Sequence, residues 1–159
     1  MKKLFSTLIF ISFAITFCFA QTTTSPVKWR FSVKMTSPGD GTVTVTARIQ
    51  DGWHIYGLKK VPNGPVPTTL NFTDSKGIKF TDEFKPSVPV TEKLDPAFGF
   101  NIGMWTGNVS FVRHFKLTGE VKDALVKGSV KYMVCDDTNC MPPTTQSFVS
   151  GVKPFVQSK

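Results

Sequence analysis

The stretch Asp40-Gly41-Thr42-Val43-Thr44-Val45-Thr46-Ala47-Arg48-Ile49 decides the fold. Val43, Val45, Ala47 and Ile49 point to one side, and Thr42, Thr44, Thr46 and Arg48 to the other. Side chains in a strand alternate faces, so this period of two predicts a strand with one dry and one wet surface. Just before it, Ser37-Pro38-Gly39-Asp40-Gly41 has the chemistry of a tight turn. Beyond that turn, Trp29, Phe31 and Val33 alternate in the same way. Val109–Leu117 repeats the pattern, with Val109, Phe111, Phe115 and Leu117 on a face that Arg113 interrupts. In Ser129–Val134, Val130, Tyr132 and Val134 alternate with Ser129, Lys131 and Met133.

Weaker strand candidates are Thr69–Phe72, Ile78–Phe80, Val88–Glu92 and Ser147–Phe155. Pro62-Asn63-Gly64-Pro65-Val66-Pro67 is a stiff loop that cannot join a central ladder. Asp74-Ser75-Lys76-Gly77 is a further turn. Seven to nine short strands with this punctuation predict an all-β chain folded as an antiparallel sandwich. No internal repeat or long linker divides it.

The chain has 159 residues. Residues 1–20 read as a cleaved signal peptide: Lys2 and Lys3 form a charged start, Leu8 to Phe19 an apolar centre, and Ala20 a small residue at the cut. Bulky Phe17 before Cys18 argues against a lipoprotein signal. Cleavage would leave residues 21–159 as one domain, with Thr22 to Pro26 a loose start. No later apolar run reaches the roughly 18 residues needed to cross a bilayer, so no transmembrane segment is expected in the mature chain. Lys2 and Lys3 leave with the signal, so 17 Lys and Arg face 11 Asp and Glu, a net charge of about +6. The lysines are scattered along the sequence and read as solvated strand faces. No nucleic-acid partner is expected, because the chain shows neither a tight basic stripe nor a recognisable module.

Two cysteines remain after export, in Tyr132-Met133-Val134-Cys135-Asp136-Asp137-Thr138-Asn139-Cys140-Met141-Pro142-Pro143. In an oxidising compartment such a pair persists as a disulfide, and the turn between them can bring the sulfurs within bonding range. A bridge closing about six residues contributes only about 2 kcal/mol in the chain-entropy model. Spacing alone leaves a structural staple and a redox-active pair equally open. A structural zinc site wants four Cys or His ligands, and only His54 and His114 join the two cysteines, so no metal and no cofactor are assigned. A copper(I) site built from the two sulfurs with Met133 and Met141 is a further alternative. Asp136 and Asp137 would disfavour a neighbouring thiolate by like-charge repulsion.

The run Val134-Cys135-Asp136-Asp137-Thr138-Asn139-Cys140-Met141-Pro142-Pro143 resembles the active-site loop of the N-terminal periplasmic domain family of the thiol:disulfide interchange protein DsbD. Asp51-Gly52-Trp53-His54-Ile55-Tyr56 resembles that family's Asp-Gly-aromatic-x-x-Tyr strand. Asp95 to Gly107 occupies the place of its cap loop. The Cys-to-Cys spacing is one residue shorter than in the best-known members.

The resemblance implies an immunoglobulin-like β-sandwich and a protein-disulfide reductase activity in the periplasm. Cys140 matches the cysteine that attacks a partner, and Cys135 the one that resolves the mixed disulfide. It implies a membrane-embedded thiol reductase as electron donor and thioredoxin-like periplasmic proteins as acceptors. It also places Tyr56, His54 and Asp136 at the site. Asp95-Pro96-Ala97-Phe98-Gly99-Phe100-Asn101-Ile102-Gly103-Met104-Trp105 reads as an aromatic-rich mobile loop with Gly99 and Gly103 as flexible points. Phe98 is the first choice for the cap over the sulfurs and Phe100 the second. The chain ends at Lys159 without a membrane or thioredoxin domain, so a free-standing module is expected. The alternatives are a protein- or glycan-binding sandwich with a structural disulfide, or a copper-binding module using the same sulfurs.

Overall fold

Alternating Val, Thr and Phe residues build the first layer of the computed structural model, which describes residues 25–157. Strand β1 (Val27–Ser37) turns tightly into β2 (Asp40–Ile49), and the two pair antiparallel from Val27↔Ile49 to Ser37↔Asp40. Val43, Val45, Ala47 and Ile49 are all buried, as their period of two demands. The far edge of β2 pairs with β9 (Asn108–Leu117), which also receives the short strands β5 (Ile78–Phe80) and β6 (Lys85–Pro86). Arg113, the interruption in the apolar face of β9, lays its guanidinium over the rings of Phe80 at 4.3 Å and Phe84 at 5.5 Å. Its Nε donates to the carbonyl of Asp82 at 2.6 Å.

The second layer consists of two smaller sheets. In one, β10 (Leu125–Tyr132) lies between β12 (Thr144–Gly151) and β4 (Thr69–Asn71). In the other the order is β11 (Val134–Cys135), β3 (His54–Tyr56), β8 (Phe100–Trp105) and β7 (Thr91–Asp95). The ladder breaks at Met133, where the chain leaves β10 and joins β3 as β11. All pairings are antiparallel, and the only helical piece among the described residues is one 3-10 turn at Val121–Asp123. The chain is an all-β immunoglobulin-like sandwich.

Apolar contact joins the layers. Phe31 stacks on Phe148 with ring centroids 4.4 Å apart, Trp29 meets Tyr132 at 5.2 Å, and Trp105 meets Phe111 edge-on at 5.1 Å. Each buried aromatic or branched side chain here contributes roughly 1.5–3 kcal/mol. Trp53 packs half-buried against the same core.

Several boundaries differ from the sequence reading. The described residues hold twelve strands rather than seven to nine, because short pieces such as β6 and β11 carry no pattern of their own. Val88–Glu92 is not one strand: Pro89 lacks the donor a ladder needs, and pairing begins at Thr91. The last strand runs Thr144–Gly151 instead of Ser147–Phe155. The stretch from Asp95 to Trp105 is a hairpin arm more than a loop. Gly103 sits inside β8, opposite Glu92, and accepts a hydrogen bond from the Gly57 amide at 2.8 Å, so it is no flexible point. Gly99, at φ 75°, does take the left-handed turn position. The proposed signal at residues 1–20, Cys18 included, lies outside the described residues.

Gly128 shows how closely the second layer is packed. It stands in β10 under Phe72, whose ring is 2 % exposed and meets Phe80, Phe84 and Phe148. A methyl group at Gly128 would run into the Phe72 ring. Gly128→Ala is expected to lower stability by about 1–3 kcal/mol. Gly151→Ala, at the end of the paired strand where a Cβ meets nothing, should stay within about 0.5 kcal/mol of the parent. Urea denaturation of the two variants checks the pair.

Candidate functional site

The break at Met133 puts the first cysteine where a ladder fixes it. Cys135 lies directly opposite His54, and Val134 opposite Ile55. Cys135 is 1 % exposed and bonded to Cys140, which is only half-buried. The two halves of the bridge are thus unequally buried, Cys135 fully and Cys140 in part.

Hydrogen bonds shape the turn between the sulfurs. Asp136 Oδ1 accepts from the amides of Thr138 at 2.8 Å and Asn139 at 2.6 Å, and from the Thr138 hydroxyl at 3.0 Å. The Thr138 amide bond comes first among the causes that hold the Asp136 carboxyl below its ordinary range, followed by that of Asn139. The Asp136 amide donates to the Asn139 carbonyl at 2.9 Å, and the Met141 amide to the Val134 carbonyl at 2.9 Å. The Asp136 carboxylate is thus taken up by the turn. This frame does not rely on the sulfur–sulfur bond, so the bridge can open without dismantling the turn.

Beside the bridge lies a buried polar cluster. Tyr56 shares the face of His54 in β3. Its hydroxyl donates to Asp95 Oδ2 at 2.7 Å, lies 3.3 Å from His54 Nε2, and lies 4.0 Å from Cys140 Sγ. With its single proton on Asp95, the phenolic oxygen is left to accept from His54 Nε2–H. Burial, then the Asp95 hydrogen bond, push the Tyr56 hydroxyl well above its ordinary range, so it stays a neutral donor. Asp95 is 1 % exposed. Its Oδ1 accepts from the Ala97 amide at 2.9 Å and its carbonyl from the Gly99 amide at 2.8 Å, which closes the β7–β8 turn. His54 Nε2 lies 3.5 Å from Asp95 Oδ2. Thr68, also buried, donates to the Tyr56 carbonyl at 2.6 Å and pins the end of β3.

Aromatic rings close the cluster. Phe98, on the turn, meets the Tyr56 ring edge-on at 6.1 Å and Phe100 at 6.4 Å. Both phenylalanines pack with Cys140 and Met133 against Tyr56, Ile102 and Cys135. The fold thereby gathers Cys135, Cys140, Tyr56, His54, Phe98 and Phe100 in one place, with Asp136 at the adjoining turn. His114 stands apart on β9, bonded to Asp82 at 2.8 Å, and Met141 packs into the main core. Among the described residues no group of three or more His, Cys, Asp or Glu is placed to hold a metal. Sequence reasoning missed Asp95 and Thr68 as members of the cluster. The one signal for Asp95 was its place before Pro96, a turn-forming pair. Thr68 gave none.

Comparison with known proteins fits this arrangement. A family model described as thiol:disulfide interchange protein DsbD, N-terminal, matches residues 21–151. No curated protein matches the chain. The N-terminal periplasmic domain of ScsB from Proteus mirabilis is 18% identical with a TM-score of 0.58, over 80% of this chain and 47% of that one. This chain therefore spans about half the length of that relative, and the likeness is one of fold. The DsbD N-terminal domain of Neisseria meningitidis, in its reduced form, is 21% identical with a TM-score of 0.49, over 77% of this chain and 84% of that one. The chain belongs to the DsbD N-terminal domain family, thiol–disulfide oxidoreductase modules, and carries its cysteine pair as a disulfide.

Proposed function

We propose that residues 21–159, released after Ala20, work in the periplasm as a two-electron relay. The donor is a membrane-embedded thiol reductase, and the acceptors are thioredoxin-like proteins. The observation that carries this reading is the unequal exposure of one bridged pair, Cys135 sealed and Cys140 half-buried, beside a buried polar cluster.

A donor thiolate attacks Cys140 Sγ, the Cys135–Cys140 bond breaks, and Cys135 leaves as a thiolate that takes a proton. The donor's second thiolate then attacks the donor sulfur of the mixed disulfide and frees Cys140. The donor is oxidised to a disulfide and the module holds two thiols. In the second half Cys140 thiolate attacks an acceptor disulfide, and Cys135 resolves the product, which returns the bridge and leaves the acceptor reduced. Phe98, on the hairpin turn, is the cap that a partner displaces to reach Cys140; Phe100 braces it.

His54, Tyr56 and Asp95 set the readiness of Cys140. The Asp95 carboxylate opposes a thiolate at Cys140, and His54, with Nε2 3.5 Å from Asp95 Oδ2, offsets part of that opposition. Tyr56 fixes the carboxylate in place.

Two measurements test the reading. In Cys135→Ala, Cys140 should hold partners as mixed disulfides in the periplasm, identified by mass spectrometry. Cys140→Ala should hold none, since Cys135 is covered. Equal trapping by both variants, or by neither, would end the relay assignment.

The second measurement is the alkylation rate of Cys140 in the reduced Cys135→Ala protein as a function of pH. Adding Asp95→Asn should raise the thiolate fraction, and with it the rate near neutral pH, by about tenfold. Adding His54→Gln should move the profile the opposite way. Profiles that superimpose would show that the cluster only braces the fold.

A further inference from the structure

The excess charge of the described chain sits on one sheet face. Residues pointing outward from the first layer follow from the register. Lys28, Arg30 and Lys34 stand on β1, Arg48 on β2, Lys116 on β9, Lys79 on β5 and Lys85 on β6. All seven are exposed. Three carboxylates lie on the face or its rim: Asp40, 3.4 Å from Lys116, Asp82, which serves His114 and Lys85, and Asp51, at the corner beside Lys28 and Arg48. The described chain has 16 Lys and Arg against 11 Asp and Glu. Removing seven and three leaves nine cations facing eight carboxylates. Of the net +5, +4 is thus the surplus of this face, and the rest of the molecule is close to neutral.

The face also carries arrangements that an isolated sheet would avoid. Lys28 lies directly opposite Arg48, and Lys79 directly opposite Lys116. Like charges at opposed cross-strand positions are destabilising. Among the described residues, none of Lys28, Arg30, Lys34, Arg48 and Lys79 has a carboxylate within 4.0 Å. Between the cations stand Thr42, Thr44, Thr46 and Ser110, with no exposed aromatic ring on which a base could stack. At one corner Lys28 and Arg48 line a shallow depression with Ser25, Gln50 and Asp51. Three strands of about ten residues, edged by the short β5 and β6 and spaced at about 4.8 Å, make a face of roughly 15 by 30 Å. A broad field of separated cations without a groove matches a surface of distributed negative charge.

We propose that this face docks on an anionic lipid bilayer, each exposed cation meeting headgroup phosphates. The sulfurs lie in the other layer, on the β11–β3–β8–β7 sheet, so docking leaves Cys140 free.

The test uses the purified chain with vesicles of phosphatidylcholine alone and vesicles containing 30 mole per cent phosphatidylglycerol. Flotation should recover the protein with the anionic vesicles at about 50 mM salt, not with the neutral ones, and less of it as salt rises and the field is screened. Lys28→Gln/Arg30→Gln/Lys34→Gln/Arg48→Gln should bind at least tenfold more weakly. Lys59→Gln/Lys60→Gln/Lys131→Gln/Lys153→Gln, with the same change in net charge on other surfaces, should bind like the parent. Equal rates of bridge reduction by dithiothreitol in all three proteins establish that the site is intact whatever the vesicles show. The proposal is overturned by absence of binding to the anionic vesicles, by equal loss in both variants, or by capture on polyglutamate without capture on the vesicles. The last result would assign the face to an acidic protein.

Discussion

The site depends on one buried hydrogen bond, from the Tyr56 hydroxyl to Asp95 Oδ2 at 2.7 Å. It ties β3, which carries the partner strand of Cys135, to the hairpin that carries Phe98. A carboxylate buried to this degree is costly unless its oxygens are satisfied. Here Oδ2 has the phenol, with the imidazole nearby, and Oδ1 has the Ala97 amide. Loss of the phenol would leave the carboxylate short of a partner, and loss of the carboxylate would leave the phenol buried without its acceptor. The bond therefore fixes two things together, the direction of the hairpin turn and the polarity beside Cys140 Sγ. Neither can change without the other.

The main core and the site are built from different residues. Val43, Val45, Phe111, Phe115, Val126 and Val130 hold the layers together, while Tyr56, Ile102 and Cys135 anchor a separate cluster under the hairpin. A bridge across about six residues contributes only about 2 kcal/mol. Opening it removes little from a sandwich whose layers are joined by aromatic contacts elsewhere, and the turn keeps its own hydrogen bonds. That division lets covalent chemistry proceed at one end of the second layer without unfolding either layer.

The fold was largely legible in the sequence because period-two burial is a local signal. Val43 to Ile49 and Val109 to Phe115 announce their faces without any knowledge of the rest. What was illegible was whatever the partner strand decides. Cys135 opposite His54 is a matter of register after a break at Met133, and the run Ser129 to Val134 reads through that break without a mark. Gly103 looked like a hinge because glycine is common in hinges. It serves instead as a place where Val90 and the Glu92 side chain approach the backbone. Asp95 looks like any surface aspartate, since the four residues before it are exposed. Only the packed structure shows that its side chain turns inward. The lysines illustrate the same limit from the other side. They are dispersed along the chain, and their collection on one face follows from strand order β1-β2-β9-β5, a long-range fact.

The placement of charge around the sulfurs has a consequence of its own. A carboxylate near a thiol favours the protonated form, which is slow to attack and slow to be oxidised. The carboxylates around this bridge differ in what they can do. Asp136 is held by three donors of its own turn, so its charge is fixed in place beside the bridge. Asp95 faces His54, with the neutral Tyr56 between the pair and Cys140. Two carboxylates held in place therefore stand near the bridge, one within its own turn and one buried behind Tyr56. An arriving partner that lifts Phe98 from Tyr56 would admit water to the same pair and weaken the Asp95 field by raising the local dielectric. In the proposed relay, access to Cys140 and its activation would be the same event, because Phe98 packs on the phenol that holds the carboxylate.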